Sequence, residues 1–329
     1  MADPTSPPQV TLAGPPPVGR PVAPPPVRRR PVSLARGLVR TARPRQWAKN
    51  LLVFAAPGAA GVLTSVSVLS RALATFGLFC LAASGAYFLN DAVDREVDRR
   101  HRTKQHRPVA AGIVPERLAV AAAAVLLPAS VALGLLVNTR VAAALAVYVG
   151  VNLAYDLWLR QEHVLELAAV ASGFVIRAVA GGLATGVRLS EWFLVVTSFA
   201  SLFVVAGKRE ATVPVVATGT GPVPPPTAAR PGARVTYPAA FLRYVRALAS
   251  GVAITAYCLW AFDKASAAAG RGVWFELTAV PFVLAILRFA LLVEQGRGDP
   301  PEDLLLGDRT IVVMVVAWAA LFAVGVYGS

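Results

Sequence analysis

Long apolar runs follow one another from about residue 50 to the C-terminus, and short polar segments separate them. Runs of about twenty residues are long enough to cross a bilayer core of about 30 Å as α-helices. The hydropathy pattern predicts nine such spans, at residues 50–66, 72–90, 117–136, 141–157, 164–186, 191–206, 240–262, 273–293 and 310–327. The chain is therefore predicted to be an all-α, polytopic membrane protein whose helices form one bundle.

The composition favours a membrane protein over a soluble one. Hydrophobic residues make up 56% of the 329 residues and charged residues only 15%, with a mean hydropathy of +0.59. A soluble domain carries about 25% charged residues. The two cysteines, Cys80 and Cys258, both lie inside apolar runs. Neither a disulfide framework nor a thiolate metal site is therefore predicted.

The excess of basic residues predicts how the chain is oriented. There are 32 Lys and Arg residues against 18 Asp and Glu, a net charge of +14. Such a charge is also typical of nucleic-acid binding, but here the basic residues lie between apolar spans. With the N-terminus inside, 25 of the 32 fall on the cytoplasmic side, five on the other side and two within spans. This asymmetry follows the positive-inside rule. It predicts a multi-pass protein of the cell membrane with a cytoplasmic N-terminus, in contact with membrane lipids and without a nucleic-acid partner.

Two segments outside the spans have a distinct composition. Residues 1–31 hold eleven of the 26 prolines, so residues 1–40 are predicted to form a disordered cytoplasmic tail. Residues 41–329 then form the transmembrane domain. Within it, Pro and Gly concentrate in the stretch 210–238, which is predicted to be a flexible cytoplasmic loop.

An acidic cluster follows the second predicted span. Asn90, Asp94 and Asp98 are spaced i, i+4, i+8, and Asp91 lies three residues before Asp94, so all four can share one helix face. Carboxylates stacked in this way repel one another unless a cation neutralises them, and Mg²⁺ prefers carboxylate oxygens shared with substrate phosphates. The alternative is a solvated helix end, but acidic residues directly after an apolar run are usually functional. The cluster is predicted to hold Mg²⁺.

Basic and polar residues elsewhere suit an anionic substrate. Lys104 and Arg107 follow the acidic cluster, where they can bind a diphosphate beside the metal. Glu166 is either a metal or ribose contact or an acidic residue at a helix start. Arg177 lies in mid-span, where a charge requires an anionic partner, either structural or a ligand. Lys208 and Arg209 end the sixth span, where they suit phosphate binding or a plain stop-transfer signal.

These motifs resemble those of a known family. The pattern NDxxDxxxD at 90–98, the sequence RPVAAG at 107–112 and the span count are similar to the UbiA superfamily of intramembrane prenyltransferases, over residues 40–327. Further stretches at 43–50, 176–182, 206–209, 260–262, 301–303 and 308–309 resemble its phosphoribosyl-transferring branch. The resemblance implies a cytoplasm-facing cavity and an Mg-dependent pentosyltransferase. Such an enzyme moves 5-phosphoribosyl from phosphoribosyl diphosphate to a polyprenyl (decaprenyl) phosphate, releases diphosphate, and supplies the lipid-linked arabinose donor for cell-wall arabinan.

The resemblance also implies roles for individual residues. Asn90, Asp91, Asp94 and Asp98 match the metal and diphosphate motif, and the three aspartates are the expected catalytic residues. The expected substrate-binding residues are Arg45 and Lys49 for the lipid phosphate, together with Lys104, Arg107, Tyr155, Arg160, Glu166, Lys208 and Arg209. Asn90 of the metal motif and Arg177, because of its mid-span charge, complete the set of expected substrate-binding residues. Arg102, Glu210 and the Pro/Gly-rich sequence from residue 213 depart from the family pattern, which affects the expected contacts of the 207–239 loop.

Other interpretations of the same chain remain. A superfamily relative that prenylates an aromatic or quinone precursor would carry a second aspartate-rich motif after the fourth span, where this chain has only Asp156, Glu162 and Glu166. A transporter would carry acidic residues in mid-span, whereas this cluster lies at a helix end. The sequence is also compatible with a homo-oligomer.

Overall fold

The computed structural model describes residues 33–211, 237–268, 270–296 and 307–328, and within these ranges the fold is entirely helical, without strands. The α-helices are α1 (Leu34–Ala42), α2 (Ala55–Ala59), α3 (Val66–Val93), α4 (Arg95–Arg99), α5 (Glu116–Gly134), α6 (Thr139–Leu157), α7 (Leu165–Thr185), α8 (Glu191–Ala211), α9 (Ala239–Ala267), α10 (Gly272–Leu277), α11 (Ala279–Glu294) and α12 (Arg309–Tyr327). Short 3₁₀ segments occur at Pro44–Phe54, Lys104–His106 and Leu159–Gln161.

Eight helices of the described ranges are long and apolar enough to cross a membrane. They are α3, α5, α6, α7, α8, α9, the continuous pair α10 and α11, and α12. Each coincides with a span predicted from hydropathy, because an apolar run in a bilayer must satisfy its backbone hydrogen bonds internally and does so as a helix.

The first predicted span, 50–66, has a different structure, and the count of nine spans is not confirmed. Its residues are divided between the 3₁₀ segment Pro44–Phe54 and the five-residue helix α2. Hydropathy measures how apolar a segment is and not its backbone geometry, so it could not separate a 3₁₀ segment from an α-helix. The segment packs closely on α7, where Gly181 meets the backbone carbonyl of Val53.

The segments predicted to be flexible are only partly covered by the structure. Helix α1 begins at Leu34, inside the predicted tail 1–40, and Ser33 caps it through a hydrogen bond from the Arg36 amide to the Ser33 hydroxyl. Residues 1–32 lie outside the described residues. At the predicted loop 210–238, Glu210 and Ala211 belong to α8 and Tyr237 is buried, while residues 212–236 also lie outside the described part.

The alternating direction of the spans gives the bundle two chemically different ends. At one end, α3, α6 and α8 finish and α5, α7 and α9 begin, which brings together the segments that carry the predicted site residues. At the other end, Tyr257, Trp260, Phe275 and Phe322 form an aromatic cluster. A second, largely apolar cavity lies beside that cluster. The polar end therefore carries the residues with catalytic or binding chemistry.

Candidate active site

A cavity of about 300 Å³ opens at the polar end, between the 3₁₀ segment, α3, α6, α7 and α8. Its charged lining consists of five cations and one carboxylate: Arg43, Lys49, Arg177, Lys208, Arg209 and Asp156. Polar lining is added by Gln46, Tyr87, Asn90, Tyr148, Asn152 and Tyr155. Because its charged side chains are mostly positive, the cavity favours an anionic ligand.

The acidic cluster lies beside this cavity, at a break between two helices. Helix α3 ends at Val93, and α4 begins at Arg95 after the junction residue Asp94. The Asp94 amide donates to the Asn90 carbonyl at 2.9 Å, and the Asp98 amide donates to the Asp94 carbonyl at 2.8 Å. These bonds continue the α-helical spacing through the junction. The predicted register of Asn90, Asp94 and Asp98 is therefore kept although the helix is divided.

Two of the aspartates share an arginine. Arg107 Nη1 lies 2.7 Å from Asp98 Oδ2 and 3.3 Å from Asp91 Oδ1, and Arg43 Nη2 donates to the same Asp91 oxygen at 2.5 Å. Both carboxylates are buried, with side chains 2% exposed. Charges so deeply buried must be paired. Arg107, predicted to bind a diphosphate, is thus the counter-ion of Asp91 and Asp98 in this structure.

The third aspartate pairs with another arginine. Arg160 Nη1 donates to Asp94 Oδ1 at 2.7 Å across the gap between α3 and the 159–161 turn. The Asp94 side chain is 14% exposed, more than those of Asp91 and Asp98. The Nε of Arg160 is buried and has no hydrogen-bond acceptor among the described residues. This N–H therefore remains available as a hydrogen-bond donor beside Asp94.

The residues predicted to bind Mg²⁺, Asn90, Asp91, Asp94 and Asp98, are close in sequence, but their side chains do not form a complete coordination shell. Across the described ranges, no three Asp, Glu, His or Cys side chains converge as metal ligands. Mg²⁺ commonly uses one or two carboxylates, water and substrate phosphate oxygens in place of a cage built from protein alone. Hard carboxylate oxygens spaced one helical turn apart match that chemistry, so these residues fit a cation that arrives with a phosphorylated substrate.

Arg43 and Asp156 contribute more than the sequence indicated. The guanidinium of Arg43 pairs with Asp91 and lies 4.7 Å from the ring centroid of Tyr87. Asp156 accepts a hydrogen bond from Asn90 Nδ2 at 2.8 Å, which joins α6 to α3. In the sequence, the signal that Arg43 belongs to the site is its position in the 43–50 stretch, which resembles the family pattern. The signal for Asp156 is weaker, because the sequence places it only in an incomplete second acidic motif.

A second buried network joins α6, α7 and α8. Glu166, 1% exposed, pairs with Arg209, whose Nη2 also lies 3.3 Å from the Tyr155 hydroxyl. The same hydroxyl donates to Glu166 at 3.2 Å. Tyr155, Arg209 and Lys208 line the cavity, whereas Glu166 lies behind them. The structure therefore gives Glu166 the position of a residue that orients Arg209.

Arg177 is buried at the floor of the cavity. A charge in mid-span is expected to have an anionic partner, but no carboxylate of the described residues pairs with it. Its Nε donates to Asn50 Oδ1 at 2.6 Å, its Nη1 to the Gly173 carbonyl at 2.5 Å and its Nη2 to the Tyr148 hydroxyl at 2.8 Å. All three acceptors are neutral. Within the part of the chain that the structure describes, no carboxylate lies within 4.0 Å of this guanidinium.

Five of the predicted binding residues, Arg45, Lys104, Arg107, Arg160 and Glu166, do not line the cavity. Arg45 is exposed and Lys104 belongs to the short 3₁₀ turn Lys104–His106, and neither lines the cavity. Lys49, predicted to act with Arg45, does line it. The difference arises because residues 45 and 49 are spaced for one face of an α-helix, whereas a 3₁₀ segment with three residues per turn directs them apart.

A strained turn stands at the start of α7. Val164 has φ +67° and ψ −48°, and the Leu165 amide donates to the His163 carbonyl at 2.8 Å, which defines a rare γ-turn. The Tyr237 hydroxyl accepts the Val164 amide at 3.0 Å. Burial raises the pKa of the Tyr237 phenol, so the hydroxyl stays protonated at neutral pH. The turn sets where Glu166 enters α7.

This geometry predicts an unusual response to glycine. Val164→Gly should leave the thermal transition in detergent unchanged or raise it, because glycine removes about 1 kcal/mol of backbone strain and Val164 is 56% exposed. Val125→Gly is the matched control, since Val125 is 64% exposed within the regular helix α5. There the change should cost about 0.5 kcal/mol. Equal losses in the two variants would contradict the strain.

Comparison with known proteins identifies relatives of the whole chain. Residues 51–209 match the model of the UbiA prenyltransferase family. The chain is 40% identical to the decaprenyl-phosphate phosphoribosyltransferase of Mycolicibacterium smegmatis over 314 residues, covering 91% of this chain and 95% of that protein. Over 294 residues it is 42% identical to the decaprenyl-phosphate phosphoribosyltransferase of Mycobacterium tuberculosis, with 88% and 94% covered.

A solved structure supports the fold independently. A UbiA homolog from Archaeoglobus fulgidus bound to GPP and Mg²⁺ superposes with a TM-score of 0.63, covering 88% of this chain and 98% of that one. The sequence identity is 14%, so this likeness concerns the fold alone.

Proposed function

The chain belongs to the UbiA prenyltransferase family, and we propose that it transfers 5-phosphoribosyl from phosphoribosyl diphosphate to a polyprenyl phosphate, decaprenyl phosphate in the first instance, releasing diphosphate. Relatives that are 40% and 42% identical over most of the chain are named for this activity. The product would then feed a lipid-linked arabinose donor for cell-wall arabinan.

The observation that carries the proposal is the charge of the cavity. Five cations and one carboxylate line a space of about 300 Å³. The donor brings a 5-phosphate and a 1-diphosphate, and the acceptor brings a further phosphate, so this pair of substrates needs an excess of fixed positive charge. An aromatic acid paired with one prenyl diphosphate would need less.

The reaction itself asks little of the side chains beyond electrostatics. The bond between ribose C1 and the diphosphate oxygen breaks, and the diphosphate leaves with the bonding pair. A new bond forms between C1 and an oxygen of the lipid phosphate. Because that phosphate is already an anion, the attack requires no Ser or Cys nucleophile. Positioning two anions against their mutual repulsion is the main task, and preorganised cations perform it.

The cations can be divided between the two substrates by their location. Arg160, with its buried unsatisfied Nε beside Asp94, and Lys208 and Arg209 on α8 are suited to the donor. Lys49 lines the cavity from the 3₁₀ segment and is suited to the lipid phosphate. We propose that Lys104, and Arg107 with its hydrogen bonds to Asp91 and Asp98, contact the donor's diphosphate beside the acidic cluster.

The metal would be held by the acidic cluster. We propose that Asn90, Asp91, Asp94 and Asp98 provide its ligands, with Asp94 the most exposed of the three carboxylates. When bound, Mg²⁺ would neutralise charge on the leaving diphosphate. A UbiA homolog of the same fold is known with Mg²⁺ bound, which supports a divalent metal.

The proposal puts the cavity end of the bundle in the cytoplasm, where phosphoribosyl diphosphate is available. Basic residues concentrate at that end, as the positive-inside rule requires of cytoplasmic segments. Arg71, Arg140, Arg188, Lys264 and Arg271 are the basic residues that flank the spans at the opposite end. This asymmetry is set by α3 and the helices after it, so it does not depend on whether the 3₁₀ segment crosses the membrane.

The proposal predicts a direct transfer assay. Full-length protein in nanodiscs, given Mg²⁺, phosphoribosyl diphosphate labelled with ³²P at its 5-phosphate, and decaprenyl phosphate, should move the label into the lipid phase. Unphosphorylated decaprenol is the matched acceptor control and should accept no label, because it lacks the anionic nucleophile. Chelating the divalent metal should stop transfer.

A different outcome of the same assay would refute the proposed phosphoribosyl transfer. If label never enters the lipid phase, while a prenyl diphosphate and an aromatic acid do react, the chain is an aromatic prenyltransferase and the phosphoribosyl assignment is wrong.

A further inference from the structure

Arg177 is a buried charge without a counter-charge from the protein. It is 5% exposed and lies twelve residues into α7, about 18 Å along the helix at 1.5 Å per residue. An ion at that depth is costly unless it is paired. Aromatic faces compensate only partly, with the Tyr148 and Phe79 ring centroids at 4.7 Å and 5.9 Å from the guanidinium carbon.

The other buried arginines in the described ranges have acidic partners. Arg246, 6% exposed, pairs with Glu210 at 2.9 Å and with Glu294. Arg160 pairs with Asp94 at 2.7 Å. The fold therefore supplies a carboxylate to each of these two buried arginines. Arg177 departs from this arrangement and faces the cavity.

The guanidinium also has donors to spare. It carries five N–H bonds, and three of them are used on Asn50, Gly173 and Tyr148. One N–H on Nη1 and one on Nη2 are left, and these two atoms form the face with which arginine binds phosphate oxygens in a fork. The three neutral acceptors hold this fork in one orientation without cancelling its charge.

We propose that the floor of the cavity is a phosphate-monoester subsite built on Arg177. It is separate from Arg160, Lys208, Arg209 and the acidic cluster, to which the proposed function assigns the diphosphate and its metal. The inference rests on the proposed function for its choice of ligand, because each substrate of that reaction carries a phosphate monoester in addition to the donor's diphosphate. The occupant is a terminal phosphate, either the 5-phosphate of the donor or the head group of the polyprenyl phosphate.

Two measurements on Arg177→Gln and Arg177→Lys test the subsite. The first is the thermal shift that inorganic phosphate produces in the detergent-purified protein, which requires no transfer activity and stands even if the proposed function fails. Arg177→Gln should reduce this shift, whereas Arg177→Lys should keep part of it. The second is the KM for each substrate, which should rise about tenfold for one of them in Arg177→Gln. A rise for phosphoribosyl diphosphate identifies the donor's 5-phosphate, and a rise for decaprenyl phosphate identifies the lipid head group.

The control is another arginine of similar burial. Arg246→Gln removes a buried charge that Glu210 and Glu294 already neutralise, so it should lower the thermal transition yet leave the phosphate-induced shift unchanged. The subsite is refuted if Arg177→Gln keeps the full phosphate shift and both KM values, whether or not kcat falls, because that pattern describes a purely structural arginine.

Discussion

Asp94→Asn is expected to lower kcat for phosphoribosyl transfer by about 100-fold to 1,000-fold, the usual effect of removing one electrostatic contact to a developing charge. Asp94 is the most exposed carboxylate of the acidic cluster, and its partner Arg160 has a buried donor without an acceptor. The amide keeps the size of the carboxylate and loses its charge, so the proposed metal site would lose a charged ligand while the fold persists. The measurement is the initial rate of label transfer at saturating substrates.

Two further variants separate a metal role from an ion-pair role. The matched control is Asp263→Asn, an exposed aspartate at the opposite end of α9, which should keep full activity. The double variant Asp94→Asn with Arg160→Gln removes both members of the 2.7 Å pair and restores neutrality. Activity that returns in the double variant would show that Asp94 serves only to balance Arg160, and the metal assignment would be lost.

Gly181→Ala should prevent correct folding. A Cβ at this position would lie 1.8 Å from the Val53 carbonyl oxygen and 2.7 Å from its carbon, both backbone atoms that cannot rotate away. Helix α7 and the 3₁₀ segment would have to separate, at a cost above about 3 kcal/mol. The same contact places Asn50 against Arg177, so the cavity floor would be lost with it. Folded yield and thermal transition, measured by fluorescence-detected size exclusion, report the effect.

Two glycines provide matched controls for this change. At Gly150 in α6 and Gly251 in α9, no heavy atom outside the local helix backbone lies within 4 Å of the position that an alanine Cβ would take. Alanine there should leave folding intact or stabilise the helix by up to about 1 kcal/mol. If the thermal transition of Gly181→Ala equals that of these controls, the close packing of the 3₁₀ segment on α7 is contradicted.

Much of the candidate site could be predicted from local sequence because its signal is local. Asn90, Asp94 and Asp98 keep the one-turn spacing that their numbering implied, since backbone hydrogen bonds continue through the helix junction. Lys208 and Arg209 end α8 and line the cavity, as their position after an apolar run indicated. The division of residues 50–66 into a 3₁₀ segment and α2 could not be predicted, because hydropathy carries no information about how Val53 packs on Gly181.

The carboxylate partner of each arginine could not be predicted from the sequence. Arg107 reaches Asp91 and Asp98, but Arg43 reaches Asp91 across 48 positions and Arg160 reaches Asp94 across 66. Such partners are selected by which helix ends meet, and alternating spans allow many combinations. The same limit applied to Arg177, whose need for an anion was evident from its mid-span position, whereas its neutral partners became visible only in the assembled bundle.

The sequence by itself determined that this protein is a helical membrane bundle of the UbiA family with an acidic cluster and a basic rim, because apolar length, charge asymmetry and motif spacing are properties of consecutive residues. The tertiary structure alone decided which cations face the cavity, which form ion pairs with carboxylates and which have no counter-charge from the protein. Burial explains the difference. A charge withdrawn from water must find a partner in space, and only the packed helices determine whether that partner is a carboxylate of the chain, as for Arg246, or is left for a ligand, as we infer for Arg177.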